Sequence, residues 1–330
     1  MGKKNLIDKR DKIFIAGHNG MVGNSIKETF LRNGYNNLLF EDRKKLDLTN
    51  LIKVIEFFEI HRPDVVVLAA AKVGGIVANS KYPTEFILEN LKIQTNIIET
   101  AWKYSVKRFL FLGSSCIYPK FSKQQIKEEY LLEGNLESTN EYYAIAKIAG
   151  IKLCQALRKQ YNFDAICLMP TNLYGPGDNY DYENSHVLPA FIRKFYEAKI
   201  KKLNEVSCWG DGSPLREFLH AEDLGEACLF VLENYFPTFK KHNSALIHLN
   251  VGTGKDITIK ELAQLVASLV GFKGKIVWDI SKPNGTHQKK LDIRAIKKLG
   301  WEPKIGLKKG IERTIKEYIL DIRNKNFYSI

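Results

Sequence analysis

The chain has 330 residues and a mass of 37.8 kDa, with 45% apolar and 26% charged residues. That length suits one large domain or two modest ones, and the composition excludes both a disordered chain and a small disulfide-stapled module. Fifty Lys+Arg against 37 Asp+Glu leave a formal charge of +13; the excess is scattered, so it reads as a solvated surface that favours anionic ligands rather than a nucleic-acid-binding tail.

From Lys12 onward, short apolar runs alternate with longer stretches of helical period, the pattern of a parallel sheet flanked by helices. Strands are expected at 12–16, 37–40, 64–70, 108–113 and 164–170, and helices at 21–33, 49–60, 84–104 and 140–160. Right-handed crossovers then build a Rossmann-type, doubly wound α/β sheet. After Pro170 the run Asn172-Leu173-Tyr174-Gly175-Pro176-Gly177-Asp178 reads as a loop and a domain boundary. Beyond it, helices are expected at about 186–200, 222–235, 258–271 and 306–323, with short strands near 206–209, 246–251 and 275–278. Thr258 and Glu261 are spaced as a capping box. The expected organisation is a dinucleotide-binding domain over 11–173, with later segments at about 210–250 packing back on it, and a smaller mixed α/β substrate domain over 174–330.

Cys116, Cys154, Cys167, Cys208 and Cys228 form no Cys-x-x-Cys pair and are odd in number, which argues against a disulfide framework or a zinc site and suits a reducing cytoplasm. No apolar segment approaches the ~20 residues of a membrane span, and the polar N-terminus has no signal-peptide pattern. A soluble cytoplasmic protein with no metal, membrane or nucleic-acid partner is expected.

The chemistry gathers at the ends of the expected strands. Gly17, Gly20 and Gly23 make a tight turn between the first strand and the first helix, where backbone can approach a pyrophosphate held at the helix N-terminus. After the second strand stand Glu41, Asp42 and Arg43. An acidic residue there favours NAD and a basic one NADP, so the triplet leaves the choice open. Asp47 and Leu48 suit either an adenine contact or a turn. Tyr143 and Lys147 stand four apart, on one face of an expected helix, and Ser114 lies just past the fourth strand. Together Ser114, Tyr143 and Lys147 can polarise a carbonyl and protonate it during hydride transfer. Cys116 and His186 are either a buried thiol and a helix-start histidine or an acid–base pair acting beside a ketone.

Six segments together resemble the GDP-L-fucose synthase family, extended short-chain dehydrogenases/reductases: GHNGMVG at 17–23, LGSSCIYPK at 112–120, YAIAK at 143–147, MPTNLYGPGDN at 169–179, NSHVLPA at 184–190 and WGDGSPLREFLHAEDL at 209–224. The resemblance implies NADPH-dependent 3,5-epimerisation and 4-reduction of GDP-4-keto-6-deoxy-D-mannose, with relatives that reduce other GDP-4-keto sugars, heptoses included, without epimerising them. It implies Ser114, Tyr143 and Lys147 for the reduction, and Cys116 as base with His186 as acid for the epimerisations. Cofactor contacts carry over onto Gly17, His18, Asn19, Gly20, Met21, Val22, Gly23, Arg43, Leu112, Gly113, Ser114, Ser115, Tyr143, Lys147, Pro170, Thr171, Asn172, Leu173 and His186. Substrate contacts carry over onto Trp209, Arg216 and Asp292, and onto Lys194, where the family commonly has arginine. The resemblance also implies a homodimer paired through the helices at 84–104 and 140–160. A 4,6-dehydratase is disfavoured because Ser115-Cys116 replaces the threonine and acidic residue that elimination uses, and a non-catalytic NADP-binding protein is disfavoured because tyrosine and lysine are both kept.

Overall fold

The run Ile13–Ala16, all apolar and all buried, forms β1 at the centre of the molecule. A computed structural model describes residues 5–182, 184–237, 247–282 and 284–327. The chain continues through α1 (Met21–Arg32), β2 (Leu38–Leu39), α2 (Leu51–His61), β3 (Val65–Leu68), α3 (Ile76–Lys81), α4 (Pro83–Lys103), β4 (Arg108–Leu112), α5 (Glu141–Tyr161) and β5 (Ala165–Pro170). Then come β6 (Asn172–Tyr174), α6 (Val187–Ile200), β7 (Glu205–Trp209), β8 (Leu215–His220), α7 (Ala221–Asn234) and β9 (His248–Val251). The last elements are β10 (Asp256–Thr258), α8 (Ile259–Val270), β11 (Lys275–Asp279), β12 (Gln288–Lys289), α9 (Arg294–Leu299) and α10 (Leu307–Phe327).

Six strands make one parallel sheet in the order β2-β1-β3-β4-β5-β9. Its central strands are runs of Val, Ile, Leu and Phe buried on both faces, as helices on both sides of a parallel sheet demand. The order reverses between β1 and β3, and ligands of such sheets bind outside the strand ends at that point. The expected doubly wound α/β fold is therefore present, with each of its expected strands and helices found within about two residues.

A second core, including Leu188, Phe195, Cys208, Leu262 and Val266, lies among α6, α8, β7 and α10. Beside it β8 is the hub of a second sheet, pairing antiparallel with β10 and parallel with β6 and β12, while β7 pairs with β11. The expected loop after Pro170 is corrected here, because Asn172–Tyr174 forms a short strand on β8. The capping box is present in full: the Thr258 hydroxyl accepts from the Glu261 N–H, the Glu261 carboxylate accepts from the Thr258 N–H, and Gly271 ends α8 in the left-handed region. All five cysteines are free, and all but Cys116 are buried. No helix among the described residues is long and apolar enough to cross a membrane.

Candidate active site

The glycine turn leaves β1 at its carboxyl end. Gly17 adopts φ +95° and packs on the backbone of Ala70 past β3, while a Cβ on Gly23 would collide with the Gly17 carbonyl. Gly20 holds the N-cap position of α1 with no side-chain hydrogen bond, so the first N–H groups of that helix have no capping side chain. This is a cradle for a pyrophosphate. His18 is buried against Phe40 with ring centroids 4.8 Å apart, Asn19 donates to Asp42 at 2.6 Å, and Val22 packs on the core. Arg43 is exposed, 3.6 Å from Glu89. Asp47 accepts from the N–H and hydroxyl of Thr49 at 3.0 and 2.8 Å, which makes it a turn residue.

At the end of β4 the chain enters a single helical turn, Ser115–Ile117, capped by Ser114, whose hydroxyl oxygen accepts from the Cys116 N–H at 3.2 Å. Gly113 lies against the Met169 side chain, and Ser115 is buried. The Ser114 hydroxyl stands beside the Tyr143 phenol. Burial and the facing Cys116 raise the phenol pKa above its usual range, and Ser114 pulls it partly back, so the phenol stays protonated at neutral pH. One turn along α5, buried Lys147 donates to the Leu112 carbonyl at 2.9 Å, its Nζ 5.8 Å from the Tyr143 ring centroid. Burial pushes the Lys147 pKa down to about 7.

Cys116 is partly exposed and receives two donors, the Asn140 amide at 3.3 Å and the Lys289 ammonium at 3.7 Å. Asn140 holds the N-cap position of α5 without capping it, so its amide is free for the sulfur. Lys289 is brought there by β12, where it pairs with Arg216 of β8. Neither residue was singled out from sequence. Asn140 precedes the Tyr-x-x-x-Lys helix and was visible as a helix cap, whereas Lys289 lies in a polar stretch with no pattern.

The other expected residues fall into two groups. Pro170 ends β5; Thr171 and the Asn172 side chain both donate to the Glu217 carbonyl, at 3.2 and 2.8 Å, and Leu173 packs on the larger core. The buried Glu217 carboxylate accepts from the N–H groups of Gly254 and Leu291 at 2.7 and 2.8 Å, tying β8 to the ends of β9 and β12. Exposed His186 caps α6, and the preceding segment meets the loop before α3 where Gly75 N–H donates to the Asn184 carbonyl at 3.1 Å. Phe86 links that loop to Tyr143, packing on Gly74 and standing 6.5 Å from the Tyr143 ring centroid. Lys194 and Lys282 each lie 5.8 Å from the exposed Trp209 ring. Arg216 lies against Gly285, and burial lowers its pKa while Cys116 and Glu137 oppose that. Asp292 is buried, and Arg294 donates to both of its oxygens.

A glycine cradle at a sheet switch point, with a Ser-Tyr-Lys constellation at the end of the fourth strand, defines a dinucleotide-dependent enzyme of the short-chain dehydrogenase/reductase type. Residues 13–252 match the NAD dependent epimerase/dehydratase family. The chain is 53% identical over 318 residues to GDP-L-fucose synthase 1 of Arabidopsis thaliana, covering 96% of each chain. It is 48% identical over 311 residues to GDP-L-fucose synthase of Escherichia coli strain K12, covering 94% of this chain and 97% of that one. Among solved structures, a GDP-mannoheptose C4 reductase from Campylobacter jejuni with NADP bound superposes with a TM-score of 0.86 at 38% identity, covering 95% of this chain and 99% of that one. The chain belongs to the NAD dependent epimerase/dehydratase family and, within it, to the GDP-L-fucose synthase family.

Proposed function

We propose that the chain converts GDP-4-keto-6-deoxy-D-mannose to GDP-L-fucose, inverting C3 and C5 and then reducing C4 with NADPH at one site. The observation that carries this reading is the placement of Cys116, with two donors on its sulfur, two residues from Ser114, which stands beside the Tyr143 phenol. A C4 ketone held by Ser114 and Tyr143 acidifies the protons on C3 and C5. Cys116 takes a proton from one face and His186 returns one to the other, and Ser114 and Tyr143 hold the oxyanion that forms between the two steps. Whenever the sulfur is anionic, the Lys289 ammonium and the Asn140 amide meet its charge. Bound NADPH supplies the hydride to C4. Tyr143 then protonates the C4 oxygen, and Lys147 donates to the nicotinamide ribose and lowers the cost of the phenolate left behind.

The residues present fit the dinucleotide, because the cradle of Gly17, Gly20 and Gly23 has no room for a Cβ at Gly23. Lys194, Trp209, Arg216 and Asp292 are the residues read as contacting the GDP-sugar, with the Arg216 guanidinium suited to the diphosphate. A homodimer through α4 and α5 is supported by Leu88, Tyr142 and Ile145, which are exposed there. A single monomer mass in light scattering at assay concentration would contradict that pairing. The likeness to the heptose reductase favours a second reading, C4 reduction of a GDP-4-keto heptose without epimerisation. Incubation of each keto sugar with NADPH, with absorbance at the nicotinamide band followed, separates the two.

Two consequences are measurable on the free protein. Gly23→Ala forces the turn apart and is expected to weaken NADPH binding by about tenfold or more, about 1.4 kcal/mol, as read by nicotinamide fluorescence titration. Lys147, ordinarily titrating near ~10.4, here titrates at about 7, so its ammonium is present below that pH and lost above it. NADPH affinity is therefore expected to fall as pH rises through about 7. Lys147→Met should bind more weakly and lose this dependence, and a flat profile in the unaltered protein would contradict the assignment.

A further inference from the structure

This inference rests on the reading of Cys116 as the base and concerns what holds its two donors on the sulfur. Cys116, Asn140 and Lys289 come from three separate segments: the turn after β4, the turn before α5, and β12. The Glu137 carboxylate reaches all three. One of its oxygens lies 3.1 Å from Nζ of Lys120, four residues past Cys116, and accepts at 3.0 Å from the hydroxyl of Thr286, three residues before Lys289. The other accepts from the Thr139 N–H at 3.4 Å, and the Glu137 carbonyl accepts from the Asn140 N–H at 3.1 Å.

Glu137 is buried, and both of its oxygens are taken by donors of the protein. Burial works against its charge, but the bonds from Lys120, Thr286 and Thr139 outweigh that and hold the carboxyl below the usual carboxylate range. The backbone of β12 is fixed by β8 on one side and by Gln124 on the other, whose Oε1 accepts from the Lys290 N–H at 2.9 Å. The turn that leads into β12 is tied by Glu137 through Thr286. Arg216, which lies against Gly285 of that turn, feels the charges of both Cys116 and Glu137, so the three groups stand close together. A carboxylate near a thiol disfavours the thiolate by its charge, whereas a carboxylate that sets an ammonium and an amide on the sulfur favours it. Removal of Glu137 therefore has opposite consequences under the two roles.

We propose that Glu137 is a positioning residue for epimerisation, binding together the three segments that bring Asn140 and Lys289 to the Cys116 sulfur. Its effect passes through those two donors, so hydride transfer at C4, which uses Ser114, Tyr143 and Lys147, does not depend on it.

The test compares Glu137→Gln and Thr286→Val with the unaltered chain. Glutamine keeps the shape of the side chain but turns one oxygen into an NH2 group that faces donors, and valine removes one hydroxyl and no charge. All cysteines but Cys116 are buried, so iodoacetamide at neutral pH labels the Cys116 thiolate selectively. Peptide mass spectrometry locates the label, and label on the buried cysteines reports a variant that has not folded; Thr286→Val, the milder change, carries the test if Glu137→Gln fails to fold. Alkylation is expected to be about tenfold slower in Glu137→Gln and about threefold slower in Thr286→Val. Deuterium incorporation at C3 and C5 of the keto sugar should fall in step, while NADPH oxidation stays within about twofold of the unaltered chain. Alkylation that is faster or unchanged in the folded variants, or exchange and NADPH oxidation lost in equal measure, would overturn the proposal. No exchange in the unaltered chain, with alkylation slowed in both variants, would overturn the epimerase reading and still support the placement of the two donors by Glu137.

Discussion

Tyr143→Phe is expected to lower the rate of C4 reduction by about 10²–10⁴-fold while leaving the solvent exchange of the C3 and C5 protons measurable. In the proposed mechanism the phenol is the proton donor to the C4 oxygen, and burial beside Cys116 keeps it protonated at neutral pH, ready to donate when negative charge develops on that oxygen. Phenylalanine fills the same space against Phe86 and removes only the hydroxyl, so the fold and the glycine cradle are untouched. Ser114 keeps its hydroxyl on the ketone and supports the exchange. The measurement is NADPH oxidation on one aliquot and deuterium incorporation on another. Loss of both activities together would show that Tyr143 serves the proton transfers at carbon as well.

Cys116→Ala should act in the opposite sense, lowering C3 and C5 exchange by about 10²–10⁴-fold while NADPH oxidation on the unepimerised ketone persists. The sulfur is the group on which the Asn140 amide and the Lys289 ammonium converge, at 3.3 and 3.7 Å. Alanine leaves the serine turn intact, because Cys116 contributes to it through its backbone N–H. The expected product is the C4 alcohol with its C3 and C5 configurations unchanged, identified by NMR. GDP-L-fucose formed at an unaltered rate would remove Cys116 from the mechanism.

The first half of the molecule was legible in the sequence because its strands are continuous apolar runs and its helices carry a clear apolar stripe. The same reasoning missed β8, β12 and α3, and the reasons are physical. In β8, Arg216, Glu217 and His220 occupy strand positions, so polar side chains break the alternation that marks a strand. In β12 only Gln288 and Lys289 pair, and α3 spans six residues, too little for any periodicity to register.

The candidate site divides along the same line. The glycine turn, Ser114, Tyr143 and Lys147 stand at fixed spacings on elements with strong patterns. Lys289 and Glu217 act through long-range pairing to Cys116 and to the ends of β9 and β12, which no local pattern encodes. Asp292, a contact that only the family resemblance implied, is held by Arg294 two residues later.

Incubation of the purified protein with GDP-4-keto-6-deoxy-D-mannose and NADPH in deuterated water, with the product analysed by NMR, tests the two-activity account most directly. The account predicts NADPH oxidation and GDP-L-fucose carrying deuterium at both C3 and C5. NADPH oxidation that yields a C4 alcohol free of deuterium at those carbons would contradict it, leaving a C4 reductase in which Cys116 and His186 take no part in proton transfer.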